Sequence, residues 1–263
     1  MDDFVSFIRH RALCLDGAMG TMVQALGLGD EYYGGTEYRM LGDLLCLSLP
    51  EEIVRIHLAY LEAGANAVET NSFGASAFRL SEYDFSGLDL KAWEPGPECI
   101  DPRKLSHGEL GRQLSRRAAQ LARTAIDRYR QGGKWDGRPL YVVGSIGPSN
   151  RVVSSTRADL RRATFDEIAD NFREQCLGLL EGGADVLLFE TQQDVLELKA
   201  AVFGAKRAMN ELGRVVPVMA QVTVDQFSRM QIFNTHSHAA LVTLQDIGID
   251  VFGINCSIGP DLM

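Results

Sequence analysis

Three carboxylates and one thiol stand at the ends of apolar, strand-like segments, where side chains can do chemistry. Asp16, Glu69 and Glu190 each close such a segment, and Cys256 ends the last one before a Gly-Pro turn. An unpaired carboxylate is costly to bury, so a cationic ligand is its natural partner. A cysteine at a strand tip can act as a nucleophile or a metal ligand, whereas most free cysteines are small buried apolar residues. We expect the four groups to share one polar pocket.

The segments that must position these groups alternate between strand-like and helix-like. This alternation predicts βαβ units and a parallel sheet. The predicted strands are 12–15, 67–70, 140–144, 185–190, 217–224 and 251–255. The predicted helices are 50–63, 108–131, 164–182, 195–212 and 237–244. Gly64, Gly183 and Gly248 each lie between a helix and a strand, where a left-handed residue is favoured, and this repetition indicates a barrel-type architecture.

The expected fold is α/β, of the (β/α)8 TIM-barrel type, and truncated after the sixth strand. A closed barrel has eight strands, so about two further units would have to follow Met263. Residues 1–263 are expected to form one C-terminally incomplete barrel domain, with an inserted proline-rich loop at about 85–107. The alternative is an open, doubly wound sheet. The glycines in 16–21 lack the spacing of a dinucleotide-binding turn, which disfavours it.

Ligand sites in parallel α/β folds form at the carboxyl ends of the strands. Polar residues at those ends are therefore the candidate substrate-binding residues: Asp16, Gly17, Glu69, Asn71, Ser145, Glu190 and Asn255. Cys256 is the candidate catalytic residue and metal ligand. Other polar groups have structural interpretations. Asp194 is predicted to cap a helix, and the pair His236 and His238 is typical of a surface or a helix start.

Composition excludes several classes of protein. The net charge of −9 over 263 residues disfavours a nucleic-acid surface, and the one basic cluster, 157–162, is interpreted as a solvated helix face. No apolar run reaches the roughly 18 residues of a membrane span, and the acidic N-terminus does not resemble a signal peptide. Five scattered cysteines argue against a disulfide framework, and Cys14 and Cys176 are expected in the core. A cytoplasmic enzyme is the expectation.

Together, the strand ends resemble the homocysteine S-methyltransferase family, and within it the cobalamin-dependent branch. Four runs carry the resemblance: LDGAMGTM at 15–22, ETNSF at 69–73, GPSNR at 147–151 and GINCSIGP at 253–260. The segments 42–45 and 50–53, with His57, are also similar to that family. The motifs share their order and spacing with the family from about Arg11 to the C-terminus.

The resemblance implies a (β/α)8 barrel in which three cysteines hold Zn²⁺ and the metal keeps the homocysteine thiol deprotonated. Cys256 matches the first zinc cysteine. Asp16 and Glu190 match the acids that hold the homocysteine ammonium. The other two zinc ligands of the family are an adjacent Cys-Cys pair on a later strand, and this sequence contains no Cys-Cys pair.

The function implied by the resemblance is methyl transfer to homocysteine, which gives methionine. Methylcobalamin is the expected methyl donor and would act in trans. The expected partners are cobalamin- and folate-binding modules or a chain that completes the barrel. S-methylmethionine and betaine are alternative donors. A different possibility is a catalytically incomplete barrel that binds an amino acid or a partner protein through an exposed sheet edge. A Schiff-base aldolase is disfavoured because no lysine lies at a strand end. No nucleic acid or membrane partner is expected.

Overall fold

The computed structural model describes residues 4–93, 100–155, 163–259 and 261. Its centre is a parallel sheet of five strands, and each strand pairs with the next one along the chain. The strands are β1 (Ala67–Glu69), β2 (Tyr141–Ile146), β3 (Val186–Gln192), β4 (Val218–Val222) and β5 (Val251–Ile254). The predicted parallel α/β fold is therefore confirmed.

Nine α-helices occur in the described part of the chain. They are α1 (Phe4–His10), α2 (Met19–Ala25), α3 (Leu45–Ser48), α4 (Pro50–Ala63), α5 (Ala77–Leu80), α6 (His107–Gln131), α7 (Phe165–Gly182), α8 (Val195–Leu212) and α9 (Ser237–Asp246). The five predicted helices correspond to α4, α6, α7, α8 and α9. Gly64, Gly183 and Gly248 have φ angles of 111°, 98° and 80°, which confirms the predicted left-handed helix ends.

The predicted strand 12–15 is wrong as a full strand, because it forms only the parallel bridge between Leu15 and Ala67. The Asp16 N–H donates to the Ala67 carbonyl at 3.0 Å, and the Cys14 carbonyl accepts from Ala67 at 3.2 Å. β1 is itself only three residues long and offers little ladder for this segment to join. The core prediction for Cys14 is also wrong, since its side chain is exposed at this edge. Cys176 is buried, as predicted.

The sheet separates two apolar layers because successive strand side chains point to opposite faces. On one face, Val142, Leu187 and Ala220 pack in the large core formed with the helices. The other face, called the inner face below, carries a smaller apolar cluster. This cluster contains Tyr141 and Phe4, whose rings meet edge to face with centroids 5.1 Å apart. Helix α1 therefore covers the amino-terminal end of this inner face.

The strand order runs 1-2-3-4-5 without a reversal among the described residues. A doubly wound sheet reverses its order at a switch point, so the structure does not support that alternative. The loop predicted at 85–107 contains two 3₁₀ turns, Phe85–Gly87 and Pro102–Lys104, and Phe85 stacks on Tyr38 with centroids 5.8 Å apart. Part of that loop, 94–99, and the basic cluster 157–162 lie outside the described residues.

No helix in the described ranges combines the length and the apolar character required to cross a lipid bilayer.

Candidate functional site

A cleft of about 480 Å³ opens at the carboxyl end of the sheet. Every candidate site residue named from the sequence lines it: Asp16, Gly17, Glu69, Asn71, Ser145, Glu190, Asn255 and Cys256. Its remaining lining residues are Leu15, Ala18, Met19, Gly20, Thr70, Phe73 and Gln221. The tertiary structure therefore brings together groups that are up to 240 positions apart in sequence, from Asp16 to Cys256.

Strand alternation explains why these particular side chains meet. Ser145, Glu190 and Gln221 each lie two residues beyond a residue of the inner apolar cluster, namely Val143, Leu188 and Met219. Positions two apart in a strand share a face. A polar layer therefore follows the apolar layer toward the carboxyl end, and the cleft lies over this polar layer. Gln221 is not among the site residues predicted from the sequence, although it lies in the predicted strand 217–224.

Hydrogen bonds from neighbouring chain segments hold the acids in place. The backbone N–H of Glu69 donates to both carboxylate oxygens of Asp16, at 3.0 Å each. The Ser145 hydroxyl donates to Glu190 Oε1 at 2.5 Å, which joins the ends of β2 and β3. Asp16 and Glu190 are therefore fixed in position, while the Glu69 side chain is held in the same cleft by its strand.

Burial raises the pKa of all three carboxyl groups, and neighbouring acids add to the shift at Glu69 and Asp16. Burial, followed by the charges of Glu190 and Asp16, raises the pKa of Glu69 to about 9. Burial also raises the pKa of Asp16 to about 7 and increases the pKa of Glu190, against the opposing effect of the Ser145 hydrogen bond. Within the described part of the chain, no lysine or arginine lines the cleft. An ammonium group placed there would stabilise the ionised acids.

Cys256 follows β5 and is exposed at the cleft, with a φ angle of 61°. Its Sγ atom lies 3.6 Å from Asn255 Nδ2 and 3.8 Å from Thr191 Oγ1. Thr191 sits at a register irregularity of β3, between Phe189 and Gln192. Thr191 is not among the site residues predicted from the sequence, although its position directly after Glu190 at a strand end could have indicated it.

The described residues do not by themselves fit a zinc ion. Zinc sites in proteins have at least three protein ligands. No group of three His, Cys, Asp or Glu side chains suited to a metal occurs in the described ranges. Among the described residues that line the cleft, Cys256 is the only cysteine and there is no histidine. We therefore assign no chemical step of this chain to zinc.

The segment 42–46 supports the far side of the cleft. Asn71 Nδ2 donates to the Gly42 carbonyl at 2.8 Å, and the buried Asp43 accepts from the Gly74 N–H at 2.9 Å. The Cys46 thiol donates to the Asn71 carbonyl at 3.4 Å. The loop after β1 is thus anchored at Asn71 and Gly74, which explains why the short run 42–45 accompanies the strand-end motifs.

The structural interpretations of three polar residues are confirmed. Asp194 caps α8 by accepting from the Leu196 N–H at 2.9 Å. His236 caps α9, where its Nδ1 atom accepts from the His238 N–H at 3.2 Å. These groups belong to helix starts and do not line the cleft.

Comparison with known proteins places the chain in a family of methyltransferase enzymes. Residues 13–263 match the profile of the family described as homocysteine S-methyltransferase, and the chain belongs to that family. The resemblance drawn from the strand-end motifs is therefore confirmed.

The chain is similar to methionine synthase of Mycobacterium tuberculosis, with 36% identity over 258 residues, and to methionine synthase of Mycobacterium leprae, with 33% identity. Each alignment covers 98% of this chain but 19% of the relative's length. The fold is similar to that of the apo form of the homocysteine methyltransferase MmuM from Escherichia coli, with a TM-score of 0.65 and 21% identity over 98% of this chain and 76% of that one.

Proposed function

We propose that this chain binds homocysteine for methyl transfer to its sulfur atom, which gives methionine. The observation that carries the proposal is the single cleft that holds three acids and an exposed cysteine thiol. Homocysteine offers a matching pair of groups, an ammonium and a thiol. Family membership and the methionine synthases among the relatives support the same reaction.

Each side chain has a role in this proposal. Asp16 and Glu190 accept hydrogen bonds from the substrate ammonium, and Glu69 adds a third carboxyl group beside them. Ser145 orients Glu190 through its hydroxyl group. Cys256 lies at the end of the substrate that carries sulfur. Gly17, Asn71 and Asn255 complete the candidate substrate-binding set that lines the cleft.

The proposed domain is a (β/α)8 barrel of which residues 1–263 form the first part. The sequential parallel order of β1 to β5 and the apolar inner face closed by α1 support a barrel. The edge segment 12–15, which bridges to β1, would occupy the place of the first strand. In this proposal the remaining strands come from further sequence or from a partner chain, and the loop at 85–107 is an insertion.

The cofactors belong to the completed protein in this proposal. Cys256 supplies one zinc ligand, and the other two come from the segment that completes the barrel. When bound, Zn²⁺ stabilises a thiolate at neutral pH. Methylcobalamin is the proposed donor, delivered by a cobalamin-binding module, and a folate-binding module is a further proposed partner. The relatives are about five times longer than the aligned region and leave room for such modules. The proposed location is the cytoplasm.

The test has two arms. Calorimetric titration of this chain with L-homocysteine is expected to show binding, because all three acids proposed to bind the substrate ammonium are present in this chain and do not require the metal. The chain is then lengthened with the segment that follows the aligned region in the Mycobacterium tuberculosis methionine synthase and supplied with Zn²⁺ and methylcobalamin. Methionine is expected to form. Cys256→Ser is expected to abolish turnover, and Cys14→Ser, which changes an exposed thiol at the sheet edge, is expected to retain it.

A second function is favoured by the lack of a metal-binding group in the described ranges. In that alternative the chain binds an amino acid, or a partner along its sheet edge, without catalysis. Homocysteine binding without methionine formation by the lengthened and reconstituted protein would favour it. A chain that does not bind homocysteine at all would overturn the leading proposal.

A further inference from the structure

The ends of β3 and β5 are joined by a reciprocal pair of hydrogen bonds, although β4 lies between these strands in the sheet. The Thr191 N–H donates to Asn255 Oδ1 at 3.0 Å. Asn255 Nδ2 donates to Thr191 Oγ1, also at 3.0 Å. Both ends of the Asn255 amide are therefore engaged by one residue, which fixes its orientation.

The backbone at both ends of this contact is in a conformation that few residues adopt. Thr191 has a φ angle of 59°, and Cys256 has a φ angle of 61°. A positive φ is especially unfavourable for a β-branched residue such as threonine. Such conformations persist only where the surroundings impose them, and they cluster at functional sites. The two reciprocal hydrogen bonds supply that constraint.

The same two side chains contact the cysteine sulfur. Asn255 Nδ2 is 3.6 Å and Thr191 Oγ1 is 3.8 Å from Cys256 Sγ. Because Thr191 Oγ1 accepts from Asn255, its own hydrogen is free to point at the sulfur. The sulfur is thus contacted by one polar group from each side chain, and these two groups are hydrogen-bonded to each other.

We propose that Thr191 and Asn255 are positioning residues that aim the Cys256 thiol into the cleft. Asn255, which also lines the cleft, then orients Cys256 through its contact with the sulfur and its hydrogen bonds to Thr191. This inference rests on the proposed function, in which the sulfur of homocysteine lies near Cys256. It adds a residue, Thr191, that has no part in binding the substrate ammonium.

Thiol–disulfide exchange with L-homocystine measures this positioning directly. The Cys256 thiolate attacks one sulfur of homocystine, the S–S bond breaks, and one homocysteine thiolate leaves as the mixed disulfide forms; the proton of the Cys256 thiol goes to solvent or to the leaving thiolate. Peptide mass spectrometry follows the product at each cysteine. A well-aimed thiol reacts faster because reactive groups held in position have a high effective concentration.

Thr191→Val removes the hydroxyl group but keeps the side-chain shape. It is expected to slow exchange at Cys256 by about 10-fold or more. Thr191→Ser restores the hydroxyl group and is expected to retain the original rate. Asn255→Asp keeps an acceptor for the Thr191 N–H, removes the Nδ2 donor and is expected to slow exchange as well.

Three controls distinguish the orientation of the Cys256 thiol from its general reactivity. Thr223→Val removes the buried Thr223 hydroxyl group, which has no partner within the described residues, and is expected to leave exchange unchanged. Exchange at the exposed Cys14 should be the same in all variants. The rate of Cys256 alkylation by iodoacetamide, a small reagent that does not use the cleft, should change less than the rate of exchange.

The outcomes distinguish this inference from the proposed function. If Thr191→Val and Asn255→Asp exchange at the original rate, or if Thr191→Ser is as slow as Thr191→Val, the positioning role is wrong while homocysteine binding stands. If the unsubstituted chain shows no homocysteine binding by calorimetry and no preference for exchange at Cys256 over Cys14, the proposed function fails as well. Far-ultraviolet circular dichroism confirms that each variant is folded.

Discussion

The backbone N–H of Glu69 lies 3.0 Å from both carboxylate oxygens of Asp16. The contact ties the edge segment before α2 to the end of β1 and sets two acids side by side, with Glu190 close enough to raise the pKa of both. Folding therefore assembles three carboxyl groups in a cleft whose lining, among the residues that the structure describes, includes no basic side chain. This unfavourable arrangement is typical of a binding site, because the missing charge is supplied by a ligand.

Asp16→Asn and Glu190→Gln are expected to weaken L-homocysteine binding by about 10- to 100-fold each, the loss for a charge-assisted hydrogen bond of about 1.5–3 kcal/mol. Calorimetric titration measures the change. Each amide keeps an oxygen that can accept from Glu69 or Ser145, so the local structure is preserved. 4-Mercaptobutyrate, which lacks the ammonium, is the matched control ligand and should not bind more weakly to either variant. Unchanged homocysteine affinity in both variants would refute the ammonium assignment.

Glu69→Gln is expected to stabilise the ligand-free protein at alkaline pH. Burial and neighbouring charge raise the pKa of Glu69 from 4.5 to about 9, so the folded state binds a proton that the unfolded state has released. Below pH 4.5 Glu69 is protonated in both the folded and the unfolded state, so its pKa shift does not lower the free energy of unfolding. As pH rises from 4.5 to about 9, the folded state loses stability relative to the unfolded state.

The measurement is urea unfolding at pH 5 and pH 8 for the chain and for Glu69→Gln. The variant should gain on the order of 2 kcal/mol at pH 8 and much less at pH 5. Glu62→Gln, which changes an exposed acid on α4, is the control and should show no comparable pH-dependent gain. An equal effect of Glu69→Gln at the two pH values would contradict the strong pKa shift.

His57→Leu is expected to preserve or raise stability at pH 7 and to raise it further at pH 5. His57 is fully buried on α4, and neither ring nitrogen has a hydrogen-bond partner within the described ranges. Burial lowers its pKa from 6.5 to about 4, so the unfolded state takes up the proton first and stability falls as pH drops from 6.5 toward 4. Replacing an unpaired polar group with an apolar one of similar size removes that cost.

Urea unfolding at the two pH values again provides the measurement, with the exposed His238→Gln as control. If His57→Leu destabilises the protein by more than about 1 kcal/mol, the ring must have an essential polar partner, such as a buried water molecule.

Gly178→Ala is expected to destabilise the protein by about 1–3 kcal/mol, the usual cost of overpacking. A Cβ atom at this position of α7 would lie 2.1 Å from the Arg112 carbonyl oxygen of α6, which is backbone and cannot rotate away. In an open helix the same substitution stabilises by about 1 kcal/mol. Gly108→Ala on α6 is the matched control, because its Cβ atom would meet only Glu174 Cγ at 3.9 Å. Thermal unfolding should therefore give opposite signs for the two variants.

Local patterns were sufficient to predict much of this molecule. Apolar periodicity located all five principal helices, because burial of one helix face leaves a clear signal in sequence. Strand-end polarity selected Asp16, Glu190 and Cys256, since parallel strands present their carboxyl ends at one edge. The family followed from the order and spacing of the motifs at those ends.

Tertiary structure decided what depends on contacts between distant segments. The segment 12–15 is apolar enough for a strand. Only the folded structure shows that it forms a single bridge to the short strand β1 and leaves Cys14 exposed. The link between Thr191 and Asn255 spans 64 residues and requires a left-handed threonine, which local propensity disfavours. Sequence by itself thus determined which groups stand at the strand ends. Only the folded chain decided which of them touch and what their pKa values become, because desolvation and charge coupling depend on distance in space.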